Sequence, residues 1–319
     1  MGAICDTAEE ESKINDDSKN IGSPSPTMPP LLFLLGELSG ETKHGFFDQI
    51  RGTFDIVHLQ ELECQAECLA SRYGWLLILS RETSSLFFFN PLIRERIDLP
   101  YSNRIINAAA FSAPPTSPSC TVYAIKSSTF NDACELHIDT FLMGGQESWI
   151  PHAYKFSTKS LIIGNVIQAV CSKEVLYCVD SRGRVGAFDV KNGSWKLITS
   201  KKFRKVCISF LVEFNGEIFA AKKGGCGVIE KLYKLNLEHG MAAWEEEKDL
   251  GDISVFLAPY GSCAALALNE KTKKKLFVAN YGPESKCVVY NVVGRDYKKA
   301  KRFNGGSFSW WYTPVWIER

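Results

Sequence analysis

The stretch from Val175 to Ile198 limits what this chain can fold into more than any other part of it. It reads Val-Leu-Tyr-Cys-Val-Asp, then Ser-Arg-Gly-Arg, then Val-Gly-Ala-Phe-Asp-Val, then Lys-Asn-Gly-Ser, then Trp195-Lys-Leu-Ile. Three short β-rich runs are split by two glycine-containing turns, and an aromatic residue follows the second turn. Looser copies of the unit recur, with Trp149, Trp195 and Trp244 following comparable runs at spacings of 46 and 49 residues. A repeat of about 50 residues built from short strands is the size of one kelch-like propeller blade.

The make-up of the runs supports the same architecture. Gly74-Trp-Leu-Leu-Ile-Leu79 and Leu86-Phe-Phe-Phe89 are continuously apolar, short, aromatic-rich and bounded by Ser, Asn and Pro. Those features select strands over buried helix. A strand apolar on both sides needs a sheet covered on both faces, which a blade between two neighbours provides. The predicted fold is all-β, a kelch-like β-propeller of about six four-stranded blades; five or seven also fit the pattern.

The units are placed at about 31–70, with Gly52-Thr-Phe-Asp-Ile-Val-His58 as its clearest strand, and at 73–100, 105–149, 165–198, 207–244 and 255–293. Asn165 to Val170 and Ser209 to Glu213 read as innermost strands, offering only Glu213 as a carboxylate. Residues after Phe303 are expected to close the ring, since an open propeller leaves unpaired edges at both ends.

Residues 1–30 differ in kind. They combine Asp6, Glu9, Glu10, Glu11, Asp16 and Asp17 with a Ser-Pro-rich end, Gly22-Ser-Pro-Ser-Pro-Thr-Met-Pro-Pro30. That composition predicts a disordered acidic tail ahead of a propeller domain at 31–319. Ser23-Pro24 and Ser25-Pro26 suit a proline-directed kinase, but such short matches favour an unmodified tail. The tail has neither the apolar core of a secretory signal nor the basic character of a transit peptide. Asp6 stands where the myristoylation pattern wants Ser or Thr. Eleven cysteines without an export signal read as reduced thiols, so the expected location is cytoplasmic, nuclear or both. No apolar run approaches membrane-spanning length. The formal charge of +1 (37 basic minus 36 acidic residues) removes the whole-chain electrostatic case for nucleic acid.

Several motifs together resemble a known family. They are Gly74-Trp-Leu-Leu77, Phe89-Asn-Pro-Leu92, Glu95-Arg-Ile-Asp-Leu-Pro100, Phe111-Ser-Ala-Pro-Pro-Thr-Ser-Pro118 with Cys120-Thr-Val122, and Tyr177-Cys-Val-Asp180. Leu250-Gly-Asp252, Val255-Phe-Leu257 and Trp310-Trp-Tyr-Thr-Pro314 extend the series. Over about 31–316 the chain is similar to the plant F-box-associated β-propellers, the F-box/kelch-repeat proteins. Each motif is weak alone, and their order and spacing carry the resemblance. It implies substrate recognition in ubiquitin ligases: an F-box grips the ligase's adaptor while the propeller holds a target protein. The best understood members remove a kinase of plant steroid-hormone signalling. An F-box is a longer amphipathic helical stretch than residues 1–30 supply, so this polypeptide is not expected to grip the adaptor directly.

Catalytic patterns are missing: no Gly-x-Ser-x-Gly, no Walker loop, no His-Glu-x-x-His. Lys222-Lys-Gly-Gly-Cys-Gly-Val228 has the glycines of a phosphate cradle but no following helix, and reads better as a hairpin turn. Cys64 and Cys68 are spaced like one helical face near His58, yet two thiols without a second pair make no zinc site. His44, His58, His137, His152 and His239 form no triad. No cofactor, no metal and no enzymatic activity are expected. Lys201–Lys205, Lys271–Lys275 and Lys298–Arg302 fall between the predicted strands. They read as solvated loops, a nuclear address or a patch for an acidic partner.

Two classes of function remain open. One is a protein-interaction module, possible target recruiter for ubiquitination; the other is a small-molecule-binding or catalytic propeller using the central funnel. Trp310, Trp311 and Tyr312 are the interaction candidates. Adjacent aromatics on an extended segment alternate in direction, so at least one should reach a blade edge or the rim; the competing reading is that they lock the closing strand. A pull-down of this recombinant polypeptide with the ligase's adaptor should recover no complex, and stoichiometric co-elution would contradict the reading of residues 1–30.

Overall fold

The structure is a computed structural model. It describes residues 28–38, 41–48, 51, 53–62, 66–102, 105–130, 133–157, 165–199, 208–224, 229–238, 240–259, 261–267, 269–270, 272–280, 286–293, 296–304 and 311–319. Strands β1 (Leu31–Leu38), β2 (Glu41–Asp48) and β3 (Thr53–Val57) open the first blade. The second holds β4 (Ala66–Arg72), β5 (Trp75–Ser80), β6 (Leu86–Asn90) and β7 (Glu95–Asp98). The third holds β8 (Ala108–Phe111), β9 (Thr121–Phe130), β10 (Ala133–Leu142) and β11 (Ile150–Ser157). The fourth holds β12 (Val166–Ser172), β13 (Val175–Asp180), β14 (Val185–Asp189) and β15 (Ser194–Leu197). The fifth holds β16 (Phe210–Phe214), β17 (Glu217–Lys223), β18 (Ile229–Glu238) and β19 (Met241–Glu246). The sixth holds β20 (Ile253–Leu257), β21 (Cys263–Leu266), β22 (Lys275–Asn280), β23 (Lys286–Val293) and β24 (Asp296–Asn304), and β25 (Trp311–Ile317) ends the chain's strands.

These strands make six sheets, and the expected propeller is what they form. Strands β25, β4, β8, β12, β16 and β21 are innermost; each from β25 to β21 touches the next, and β25 meets the sixth blade through β22 and through the Trp316 N–H on the Gly261 carbonyl at 3.2 Å. The first blade is completed by β25, which pairs antiparallel with β1 from Leu31 opposite Ile317 to Glu37 opposite Trp311. The two ends of the chain therefore share one sheet, and no open edge is left where the ring begins.

Side chains alternate across each strand, which explains the uninterrupted apolar runs. In β5, Trp75 and Leu77 join the core against the third blade, while Leu76 and Ile78 join the core against the first. In β6, Leu86 and Phe88 face one way and Phe87 and Phe89 the other. In β1, Leu32 and Leu34 pack toward the sixth blade and Phe33 and Leu35 toward the second. Six such clusters of buried residues occupy the six spaces between blades. Burial of this kind contributes about 25 cal/mol per Å² of apolar surface, so the middle strands carry most of the stabilisation.

The hairpins joining innermost to second strands are tight. Tyr73-Gly74, Lys173-Glu174 and Asn215-Gly216 all have both central residues at positive φ, between 49° and 82°. That is the conformation whose twist matches the flanking strands of a two-residue hairpin. Gly74 is needed twice over, because a β-carbon there would also lie 3.3 Å from the Glu318 carbonyl oxygen.

Four features depart from the expected layout. The second blade starts at β4, not at Tyr73, and the third and sixth extend through β11 and β24 beyond Trp149 and Val293. The sixth blade has five strands: β20 is inserted between β21 and β22 and runs parallel to β22. Lys298–Arg302 do not lie between strands; they sit on β24, the outermost strand of that blade. Cys68 lies on strand β4 and not on a helix, and Cys64 lies outside the described residues.

The recurring tryptophans link neighbouring blades at the rim, each packed half-buried against the edge of a core cluster. Trp149, just before β11, donates from Nε1 to the Pro100 carbonyl at 2.9 Å, beyond the second blade's last strand. Trp244 on β19 reaches back to the Gly183 carbonyl of the fourth blade at 2.7 Å. Trp195 on β15 packs 6.4 Å from Tyr154 of the third blade and lies over Gly186, where a β-carbon would be 2.0 Å from its ring. All three are half-buried. Trp316 on β25 is wedged between the first and sixth blades: it is fully buried, 5.0 Å from the Phe256 ring, and donates to the Leu257 carbonyl at 3.1 Å. Denaturant titration should therefore show Trp316→Ala costing about 3 to 5 kcal/mol and Trp244→Ala nearer 2 kcal/mol. The reverse order would contradict this assignment of core and rim.

Candidate functional site

The six innermost strands converge on a channel because the residues facing it are small, among them Ala70, Ser71, Ala108, Ala169 and Ser262. Two cavities of about 120 Å³ and 50 Å³ follow one another along it, sharing Ala70, Ser71, Ala169, Val170 and Ser262 as walls. The larger lies where β4, β8 and β12 begin, with Asn107 and Ile167 exposed at its rim. The smaller lies where the same strands end, beside Arg72, Cys171, Glu213 and Glu318.

Gln168 on β12 crosses the larger chamber. Its Nε2 donates to the carbonyls of Ser209 at 3.4 Å and Pro259 at 3.3 Å, tying three blades together. The same two carbonyls fix the amide orientation, since a flip would set oxygen against oxygen. The Oε1 atom is buried and has no hydrogen-bond partner among the described residues.

Arg72 closes the other end. Its Nη1 donates to the Cys171 carbonyl at 2.7 Å, its Nη2 pairs with the Glu213 carboxylate, and the guanidinium lies 4.6 Å over the Tyr73 ring. Glu213 is also held by the Gly216 N–H at 2.7 Å. The Glu318 carboxylate accepts the Tyr73 backbone N–H, so the segment after the closing strand is pinned to the second blade. Burial pushes the Glu318 carboxyl up; the Tyr73 N–H and the Arg72 charge only partly offset it, and the Glu213 charge adds to the rise.

The expected residues fall in different places. Glu213 is on an innermost strand as anticipated and is the partner of Arg72. Trp310 lies outside the described residues, while Trp311 and Tyr312 stand on β25 opposite Glu37 and Gly36. Arg72 and Glu318 escaped the sequence reading. The signal for Arg72 was a charged residue ending an inner strand just before the Tyr73-Gly74 turn; the partners that hold the two at the channel mouth lie 99 to 245 residues away.

The remaining reactive side chains are engaged elsewhere. His44 is buried and stacks on Phe33 at 5.9 Å; burial, helped by His58, lowers its pKa to about 4 and keeps it neutral. His152 packs against Phe188, and His137 lies beside Glu135. Cys68, Cys120, Cys134, Cys171, Cys178 and Cys263 are buried free thiols, and burial raises those of Cys68, Cys171 and Cys178 far above the thiolate range. Lys222 and Lys223 end β17, which pairs antiparallel with β18, and residues 225–228 lie outside the described residues. Lys273 and Lys274 pair with Asp252, Glu270 and Asp249. Among the described residues, no group of three His, Cys, Asp or Glu side chains is placed to hold a metal, and no helix is long and apolar enough to cross a membrane.

Six blades closed by the chain's two ends around a narrow, small-residue channel define a six-bladed β-propeller. Residues 47–291 match the KIB1-4 beta-propeller family, and the chain belongs to it. An F-box/kelch-repeat protein of Arabidopsis thaliana is 28% identical over 262 residues, covering 78% of this chain and 67% of that protein. Two F-box proteins of the same plant are 29% and 27% identical, covering 69% and 74% of this chain but 45% and 64% of their own lengths. The match thus spans about half to two thirds of these relatives.

Glu318 gives a test of the narrow mouth. A carboxyl raised in the folded state makes folding less favourable as pH climbs from its unfolded value through its folded one. Glu318→Gln keeps an oxygen for the Tyr73 N–H and removes the charge. The variant should melt higher than the parent near pH 7, and the difference should vanish below about pH 4. A gap that is constant with pH would show that Glu318 is not desolvated.

Proposed function

We propose that this propeller is a non-enzymatic protein-interaction module that holds a target for a ubiquitin ligase. The observation that carries this reading is membership of a propeller family whose relatives are F-box proteins, with the similarity lying over the propeller itself. A rigid ring that presents loops and mouths suits binding, where a few aromatic and Arg anchors supply most of the energy. The proposed partners are a target protein and, through it or another subunit, ligase components, in the cytoplasm, the nucleus or both.

The proposed anchors are Trp310, Trp311 and Tyr312. A role in locking the ring is the competing reading for them, and β25 does pair with β1. Capture from plant cells followed by mass spectrometry should return a reproducible protein whose abundance rises when this chain is depleted. Under the interface reading, Trp311→Ala keeps its melting temperature and loses that protein. Under the locking reading the melting temperature falls. A target captured but never changed in abundance would remove the ligase role.

A funnel-ligand reading also has a specific observation behind it, the larger chamber with its buried Gln168 oxygen.

A further inference from the structure

We infer that the larger chamber is a socket for an uncharged hydrogen-bond donor, a peptide or side-chain amide at the tip of a partner's loop. The inference rests on the target-recognition reading and names the mouth and the chemistry that reading leaves open. Three observations lead to it.

Among the described residues the channel is open at one end and obstructed at the other. Arg72 spans the far end between β4, β12 and β16, and Glu318 is fastened beside it, so that end is filled by fixed, mutually paired groups. At the other end Asn107 and Ile167 are exposed, and about 120 Å³ lies open behind them. That volume takes an amide group and does not take a folded element.

The chamber wants a donor. The Ser71 hydroxyl already donates to the Trp316 carbonyl at 2.7 Å, and the Ser262 hydroxyl to the Ala258 carbonyl at 3.0 Å. Both bonds of the Gln168 amide nitrogen go to the protein, and the amide oxygen has no partner among the described residues. An acceptor buried without a partner is costly, so a donor arriving there gains a bond that costs no existing one.

The donor is uncharged. Glu67, the carboxylate at this end, is engaged by Arg81, so an ammonium or guanidinium entering the chamber would meet neutral oxygens and no unpaired carboxylate among the described residues. A cation buried on those terms is far less favourable than a neutral N–H.

Nitrogen-edited NMR of the full chain tests this with two probes of nearly equal shape. N-methylacetamide carries an N–H; N,N-dimethylacetamide does not. The Gln168 side-chain NH₂ and the Ala169 amide should shift saturably with the first and stay still with the second, and Gln168→Leu should lose the response. Equal shifts from both probes, or from neither, overturn the socket; so does a water on the Gln168 oxygen that the donor probe fails to displace. Capture of the target by Gln168→Leu should fall roughly tenfold, the worth of one buried hydrogen bond. A flat titration with capture unchanged removes the socket and leaves target recognition standing. A saturable, donor-selective titration with no protein captured supports the socket and removes target recognition.

Discussion

Everything in this molecule depends on one backbone pairing, that of β1 with β25. Their seven opposed residue pairs join segments separated by nearly the whole chain. The gain is larger than a strand's worth of hydrogen bonds. Val315 and Ile317 of β25 lie in the core between the first and second blades, and Trp316 lies in the core between the first and sixth. Withdrawing β25 would open two of the six interfaces together and expose the edge of β1. Closing so long a loop is entropically unfavourable, and burial of β25 side chains in two cores offsets that cost.

The same pairing builds the narrow mouth. Glu318 follows β25 directly, and its carboxylate meets Tyr73 only if the closing strand is in register. Arg72, one residue earlier on the second blade, reaches the fourth and fifth blades across the axis. A buried pair such as Arg72 with Glu213 adds little net stability but is costly to break from one side. Its effect is on geometry: opposite blades are held at a fixed distance, and one end of the channel stays occupied. Ring closure and channel shape are therefore set by one group of contacts.

The parts of the fold that could be read from the sequence are those packed on both faces. β5, β6, β13 and β14 showed themselves as apolar runs because alternate side chains enter two cores. The missed strands β4, β11 and β24 are innermost or outermost. Ala66 to Arg72 borders the channel, where small and polar residues are required, and Ile150 to Ser157 is partly solvated. Neither environment imposes an apolar pattern. The parallel insertion of β20 beside β22 depends on a partner some twenty residues on, and no local period records it. The channel residues were harder still. Glu213 was legible as a carboxylate on an inner strand, but Arg72 lies 141 residues from it in sequence. Gln168 looked like any polar residue of a short strand.

The division of labour between strands bears on how such a scaffold comes to recognise something. Stability is concentrated in the second and third strands of each blade, where Leu76, Phe87, Leu176, Phe188 and Leu232 are fully buried. Innermost strands also send side chains into the cores, Phe111, Val212 and Val315 among them, and the positions left facing the channel are small or polar, such as Ala70, Ser71 and Gln168. A change at Gln168 or at the exposed rim residue Ile167 alters the channel while leaving every apolar interface intact. A change at Trp316 or Phe89 alters the ring itself. Binding can thus be retuned at the axis without retuning the fold, except at Arg72 and Glu318, where the two requirements meet.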